Sequence, residues 1–173
     1  MIQLPDLLHL LNGHYLKKYN TKIVGGFSEP FYKASIGNNK AEIQFSYDYI
    51  RSALHELAHW CVAGNQRRNQ DDFGYWYAPD GRNQKQQNEF YQVEIKPQAI
   101  EWAFSIICGI NFEASVDNLG AQVDGVNTFE NNVAQQLKLY CQNGFNKRVD
   151  EILKLVAKQQ KIDDYCDKIV SSI

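Results

Sequence analysis

The sequence His55-Glu56-Leu57-Ala58-His59 lies inside the run 47–63, whose apolar residues occupy more than one face of a helix and which stops at Gly64. This pattern predicts a central, largely buried helix around which the rest of the fold must pack. Positions i and i+4 lie one turn apart on the same helix face, so both imidazoles can reach a single metal ion. Two purely structural core histidines would each need a costly polar partner, which makes metal ligation the favoured interpretation.

The segments before this helix predict one helix followed by a small sheet. Apolar residues recur with helical spacing over residues 4–19, and Asn20 ends that run. Residues 21–25 and 41–45 have the composition of short strands, and the segment 29–32 between them is a candidate edge strand.

The segments after the central helix predict further helices. Residues 84–108 follow a helical pattern, in which Pro97 either opens a helix at residue 96 or kinks a longer one. Three more helices are predicted over residues 129–141, 148–160 and 162–170. We therefore expect one α+β domain over residues 1–173, in which a small sheet packs with several helices.

Composition excludes several classes of protein. The chain has 173 residues, with 18 Lys and Arg against 20 Asp and Glu and a formal net charge of -2. This charge balance does not predict binding to the phosphates of nucleic acid. The sequence contains neither a leader pattern at residue 1 nor an apolar stretch of about 20 residues, so we expect a cytoplasmic monomer that does not enter a membrane. The four cysteines are widely spaced and predict buried small apolar residues rather than disulfides or a zinc site.

Two imidazoles hold a metal loosely, so a third protein ligand is expected. The remaining histidines, His9 and His14, lie on the first helix and favour a solvated or partly buried role. A carboxylate is therefore the expected third ligand. A polar stripe at positions i, i+4, i+7 and i+11 runs along an otherwise apolar helix, and it must face either water or the metal. Its members are Glu94, Gln98, Glu101 and Ser105.

Two histidines and one carboxylate leave coordination positions open, and the metal that fills the site decides the chemistry. With Fe(II), such a site binds dioxygen and predicts an oxygenase. With zinc, a bound water is activated and Glu56 acts as general base, which predicts a hydrolase. In the oxygenase, Glu56 would orient a ligand imidazole or hydrogen-bond the bound water. A third interpretation is a structural metal within a binding module. The spacing leaves all three open.

Several ordered motifs resemble those of the bacterial elongation factor P hydroxylases. They are HELAHWCVAG at 55–64, RR at 67–68, DFGYWY at 72–77, PDGR at 79–82 and VEIKPQA at 93–99. The likeness is dense from residue 52 to 104 and continues less distinctly through VDNL at 116–119. Ala78 departs from the cysteine expected in some members of the family.

The resemblance implies a monooxygenase that hydroxylates the lysine of elongation factor P after a β-lysyl group has been added to it. It implies a non-haem metal centre with His55, His59 and Glu94 as ligands, Glu101 as the reserve for the third, and dioxygen as co-substrate. Fe(II) is the expected metal, although another divalent metal could occupy the isolated protein. It also implies a fold similar to the metal-dependent ribosomal RNA endonuclease YbeY. The alternative function is a zinc-dependent hydrolase, either a metallopeptidase or a YbeY-like nuclease.

A β-lysylated lysine is a long arm with two amines, so its site should offer an apolar sleeve and acidic or carbonyl groups. The segment after the metal helix supplies such residues, and the substrate-binding candidates are Asp72, Tyr75, Trp76 and Asp80. Asp72 is the favoured amine partner. Tyr75 and Trp76 are equally compatible with a core position, whereas the start of an Asp-Gly turn is the favoured interpretation of Asp80. Three arginines would contact the protein partner, support loop carboxylates or remain solvated; they are Arg67, Arg68 and Arg82.

Overall fold

The computed structural model describes residues 1–72, 81–117 and 124–173. Within these ranges the predicted α+β class is confirmed, with a small sheet and several helices. The helices are α1 (Leu4–Leu10), α2 (Ile50–Val62), α3 (Gln84–Cys108), α4 (Val126–Asn143), α5 (Lys147–Gln160) and α6 (Tyr165–Val170). The strands are β1 (Thr21–Phe27), β2 (Phe31–Lys33) and β3 (Ala41–Ser46). The likeness to the YbeY fold stays a prediction.

The predicted first helix is present, but its geometry changes along its length. α1 is followed by a π-helical turn at Leu11–Tyr15 and a 3₁₀ turn at Leu16–Tyr19. Asn20 then ends the helical run in the left-handed conformation, which asparagine tolerates better than most residues. The apolar spacing still places one face in the core, because Leu7, Leu11 and Leu16 are buried.

The strands form one sheet with the order β1-β3-β2. β1 and β3 run parallel with Ile23 opposite Ile43, whereas β2 pairs antiparallel to the other side of β3. The predicted edge strand is therefore confirmed as β2. Alternate residues of β3 are buried, and this apolar face packs against α2.

The helix α2, which carries His55 and His59, packs against α3 at the centre of the molecule. α2 begins at Ile50, three residues after the start of the predicted run. α3 is one continuous helix through Pro97, so the longer of the two predicted forms is correct. A capping box between Asn83 and Gln86 starts it, and Gly109, with a φ of 74°, ends it.

The C-terminal helices complete the core against α3. α4, α5 and α6 each contact α3, and they match the three predicted helices to within a few residues at their ends. Cys61 and Cys108 are buried as predicted, whereas Cys141 and Cys166 are only partly buried; all four are free thiols. None of the helices described is long and apolar enough to cross a membrane.

Gly25 marks a close approach between β1 and the segment that follows β3. A Cβ at this position would lie 2.5 Å from the Phe45 ring and 2.8 Å from the backbone oxygen of Tyr47. We expect Gly25→Ala to lower the free energy of unfolding by about 1–3 kcal/mol, because the backbone oxygen cannot move aside easily. Urea denaturation measures this. Gly13→Ala, whose Cβ meets nothing within 4 Å, is the control and should leave stability unchanged or raise it. Equal stability of the two variants would contradict the prediction.

Candidate metal centre

The polar stripe of α3 is buried, and it faces the histidines of α2. The side chains of Glu94 and Glu101 belong to residues that are only 0% and 5% exposed, and Gln98 and Ser105 are buried as well. The stripe therefore does not face water. An ionised carboxylate in such a position requires close positive or hydrogen-bonding partners, and the imidazoles of α2 provide them.

Three potential ligand atoms converge between the two helices. The structure places one ligand atom each from His55, His59 and Glu94 within 4.8 Å of one another. The Nε2 atoms of the two imidazoles are 2.9 Å apart, and Glu94 lies 3.2 Å from Nε2 of His59 and 3.7 Å from Nε2 of His55. The i, i+4 spacing of α2 thus directs both imidazoles to one point, and Glu94 meets them there.

The donor set suits a divalent metal ion. Oε1 of Glu94 is buried, and Nε2 of His59 faces it at 3.2 Å. Two imidazole nitrogens that face each other at 2.9 Å must share one proton or bind a common cation. Two neutral imidazoles and one carboxylate are ligands for zinc and for Fe(II), with positions left for solvent or substrate.

Glu101 and Gln98 contact the proposed ligands His55 and Glu94 on the sides that face away from the converging atoms. Oε2 of Glu101 lies 2.9 Å from Nδ1 of His55, which turns Nε2 of the same ring toward Glu94. Nε2 of Gln98 donates to Oε2 of Glu94 at 3.2 Å and to the carbonyl of Ser115 at 2.8 Å. Glu101, the reserve candidate for the third ligand, therefore contacts the outer nitrogen of His55. The sequence identified the stripe but not this division of roles.

These contacts shift the pKa values of His55, Glu94 and Glu56. Burial by itself lowers the pKa of His55, but the hydrogen bond and charge of Glu101, with Glu94 and Glu56, raise it to about 10. Burial favours a high pKa for Glu94, yet the facing imidazoles and Gln98 lower it to about 2. Burial also raises the pKa of Glu56, against the opposing effect of the two histidines. At neutral pH the metal-free centre thus holds a proton on His55 where a cation would otherwise bind.

The centre opens into a cleft of about 760 Å³. Acidic groups of the wall are Glu56, Glu94, Glu101 and Asp117, and apolar ones include Phe90 and Ile110. The segment 109–117 contributes several of these residues, and nothing periodic in the sequence indicated that it would lie there. Arg82 fixes this segment, because its buried guanidinium donates to the carbonyls of Val116 and Asp117.

Of the predicted substrate-binding residues, only Asp72 is among those described. It lines a separate cavity of about 40 Å³ behind Glu56 and His59, and its carboxylate pairs with Arg67. Its backbone bonds to Tyr32 of β2, so the residue is held at the sheet edge rather than in the large cleft. Tyr75, Trp76 and Asp80 lie outside the described residues. Their roles and that of Asp72 stay predictions.

Known proteins resemble this chain over most of its length. Residues 10–167 match a family model described as elongation factor P hydroxylase. The chain is also 40% identical, over 166 residues, to the elongation factor P lysine hydroxylase of Haemophilus influenzae. That alignment covers 94% of this chain and 92% of the relative.

The contacts around His55 predict a graded loss of metal affinity. Glu94→Gln replaces the anionic donor with a weak neutral one and His59→Ala removes a donor atom, so each should weaken zinc binding by more than about 100-fold. Glu101→Gln removes only the charge behind His55 and should weaken binding by about 10- to 100-fold. Competition with a chromogenic chelator measures all three, with His14→Ala, at an exposed position on the first helical run, as the control. A loss in Glu101→Gln as large as that in Glu94→Gln would show that Glu101 is itself a ligand.

The raised pKa of His55 predicts that metal uptake displaces a proton. Below about pH 10 the metal-free imidazole is protonated, and only its neutral form binds a metal. The apparent affinity should therefore rise by about tenfold per pH unit between pH 6.5 and 8.5. Zinc titrations in buffers of different ionisation enthalpy give the number of protons released. An affinity that does not change with pH would contradict the assignment of the proton to His55.

Proposed function

The chain belongs to the elongation factor P hydroxylase family, and from that membership we propose that it hydroxylates elongation factor P on the lysine that carries a β-lysyl group. The relative's name supports the protein and the residue type that are modified. Because the proposed substrate is a translation factor, we place the activity in the cytoplasm.

The proposed metal is Fe(II), held by His55, His59 and Glu94. The observation that carries this proposal is the convergence of one ligand atom from each residue within 4.8 Å, at the base of a cleft large enough for a substrate. Fe(II) bound by two histidines and one carboxylate keeps positions open for dioxygen, which supplies the oxidising chemistry. The side chains of the protein contain no oxidant of this kind. Their proposed tasks are to hold the metal, to orient the substrate and to exchange protons with it.

Glu56 is the proposed catalytic side chain besides the ligands. It lines both the large cleft and the small cavity behind it, next to the two histidines. Glu101 already holds Nδ1 of His55, so Glu56 is not needed to orient that ring. Burial raises the pKa of Glu56 against the opposing charges of the two histidines, and a carboxyl group at the cleft wall can exchange a proton there.

The cleft matches the chemistry of the proposed substrate arm. Its volume of about 760 Å³ lies in the range of ligand pockets, and Phe90 and Ile110 offer apolar contact to methylene groups. Asp117 and Glu56 place carboxylates along the same wall, where the ammonium groups of a β-lysyl-lysine would find partners. Asp117 lines this cleft, with its carboxylate 3.9 Å from the guanidinium of Arg82, whereas Asp72 lines the smaller cavity and pairs with Arg67. Position therefore favours Asp117 over Asp72 as the amine partner.

Mass spectrometry of elongation factor P tests the proposed reaction. Incubation of the β-lysylated protein with this chain, Fe(II), a reductant and dioxygen should add the mass of one oxygen atom to the modified lysine. Removal of the metal with a chelator, or the His59→Ala variant, should abolish the product. Formation of a product in the absence of dioxygen would contradict the hydroxylase and favour the hydrolase.

The Glu56→Gln variant distinguishes the two chemistries further. A hydrolase that uses Glu56 as general base should lose all measurable activity, whereas the proposed oxygenase should keep part of it, with a rate lower by about 10- to 100-fold. Metal content measured on the same preparation shows whether the loss lies in the chemistry or in the metal. His14→Ala is the control at an exposed histidine. Complete inactivation with full metal content would contradict the proposed role.

A further inference from the structure

Two exposed tyrosines lie where α2 begins, beside the opening of the cleft. Tyr47 is 57% exposed and Tyr49 is 66% exposed. Their ring centroids are 5.8 Å apart with an edge-to-face arrangement, so the two rings form one aromatic surface. Tyr49 lines the metal cleft, and its backbone precedes that of His55 by six residues, or about 9 Å along a helix. We call this pair the aromatic rim.

The backbone of Tyr47 is in a conformation that a bulky side chain disfavours. Its φ is 50°, in the left-handed region where glycine is the usual residue. The turn is held by the backbone, because the amide of Tyr47 donates to Phe27 at 2.7 Å and its carbonyl accepts from Gly26 at 2.8 Å. The exposed ring contributes nothing to these bonds, and glycine would form the same turn with less strain.

Tyr49 occupies another position that local folding would fill differently. It is the N-cap of α2, where Ser, Thr, Asp or Asn normally accepts a hydrogen bond from the first turn, and it makes no such bond. The chain therefore places a tyrosine at two neighbouring positions where folding favours another residue, and it buries neither ring. Such departures from local preference beside a binding cleft indicate a surface kept for recognition.

We propose that the aromatic rim is the docking surface for the protein substrate, at the part of its surface that surrounds the modified lysine. This inference rests on the proposed function: a folded protein that extends one side chain into the cleft must lay its neighbouring surface against the rim. Tyrosine suits that contact because it combines a large apolar face with a polar end and loses little entropy on binding.

The surroundings of the rim support a docked segment of chain. A second cavity of about 520 Å³ lies on the other side of Tyr49, and it shares Ile50, Arg51 and Ile110 with the metal cleft. A loop that crosses Tyr49 can therefore place the modified lysine in one cavity and a neighbouring segment in the other. The charge of Arg51 is already engaged by Glu113, at 3.7 Å to its carboxylate and 2.6 Å to its carbonyl.

Two substitutions that favour folding test this surface. Tyr47→Gly removes the strain at a positive φ, and Tyr49→Ser supplies the missing helix cap, so both variants should melt at the same temperature as the parent or higher. Each should nevertheless raise the KM for intact β-lysylated elongation factor P by about tenfold or more, with the smaller effect on kcat. Zinc affinity measured on the same samples reports any disturbance of the metal centre.

The controls separate docking from other effects. Leu139→Ser changes an apolar residue of α4 that is 47% exposed and outside both cavities, and it should leave KM unchanged. With a short peptide that carries the same modified lysine, the increase in KM caused by the rim substitutions should be smaller by at least about tenfold than the increase measured with the intact protein. Unchanged KM with the intact protein, or equal losses with the peptide, would overturn the docking surface. If the parent chain forms no product, the proposed function fails, and calorimetric binding of the intact protein to parent and rim variants still decides the docking surface.

Discussion

The burial of two carboxylates of α3 against two imidazoles of α2 is the interaction on which the rest of the site depends. An ionised carboxylate at the exposure of Glu94 is strongly unfavourable unless positive or hydrogen-bonding groups face it. His55, His59 and Gln98 supply those groups, and each of them in turn needs the carboxylates. The packing of the two helices and the chemistry between them are therefore one constraint. A metal ion at this point would replace a proton that the metal-free centre already holds.

The polar residues of the stripe on α3 make different contacts according to their position along the helix. Glu94 faces the nitrogen atoms that converge, Glu101 holds the outer nitrogen of His55, and Gln98 links Glu94 to Ser115. The segment 109–117 is fastened a second time by the buried guanidinium of Arg82. The three proposed ligands and the cleft wall thus share supports, and such shared hydrogen-bonded supports favour a rigid site.

The same helix connects this buried centre to an exposed surface. α2 carries the two histidines within its interior, while the tyrosines at its N-terminal end stand in solvent at the opening of the cleft. Folding would be served better by glycine and by a capping residue at those two positions. The partly buried histidines face carboxylates, as such polar groups require, whereas the exposed tyrosines occupy positions that a stable turn would fill with other residues. Both are explained if the helix presents a metal at one point and receives a protein at another.

The sequence alone determined what depends on neighbours along the chain. Helical periodicity placed His55 and His59 on one face, aligned the stripe of α3, and located the strands and helices to within a few residues, because each such pattern repeats every two or 3.6 residues. Only the tertiary structure decided which carboxylate meets which nitrogen. Glu94 and Glu101 lie on one stripe and are alike in chemistry, and their different roles follow from the way α3 packs against α2. The position of residues 109–117 in the cleft wall likewise depends on Arg82 and Gln98, distant in sequence, whose hydrogen bonds no local pattern encodes.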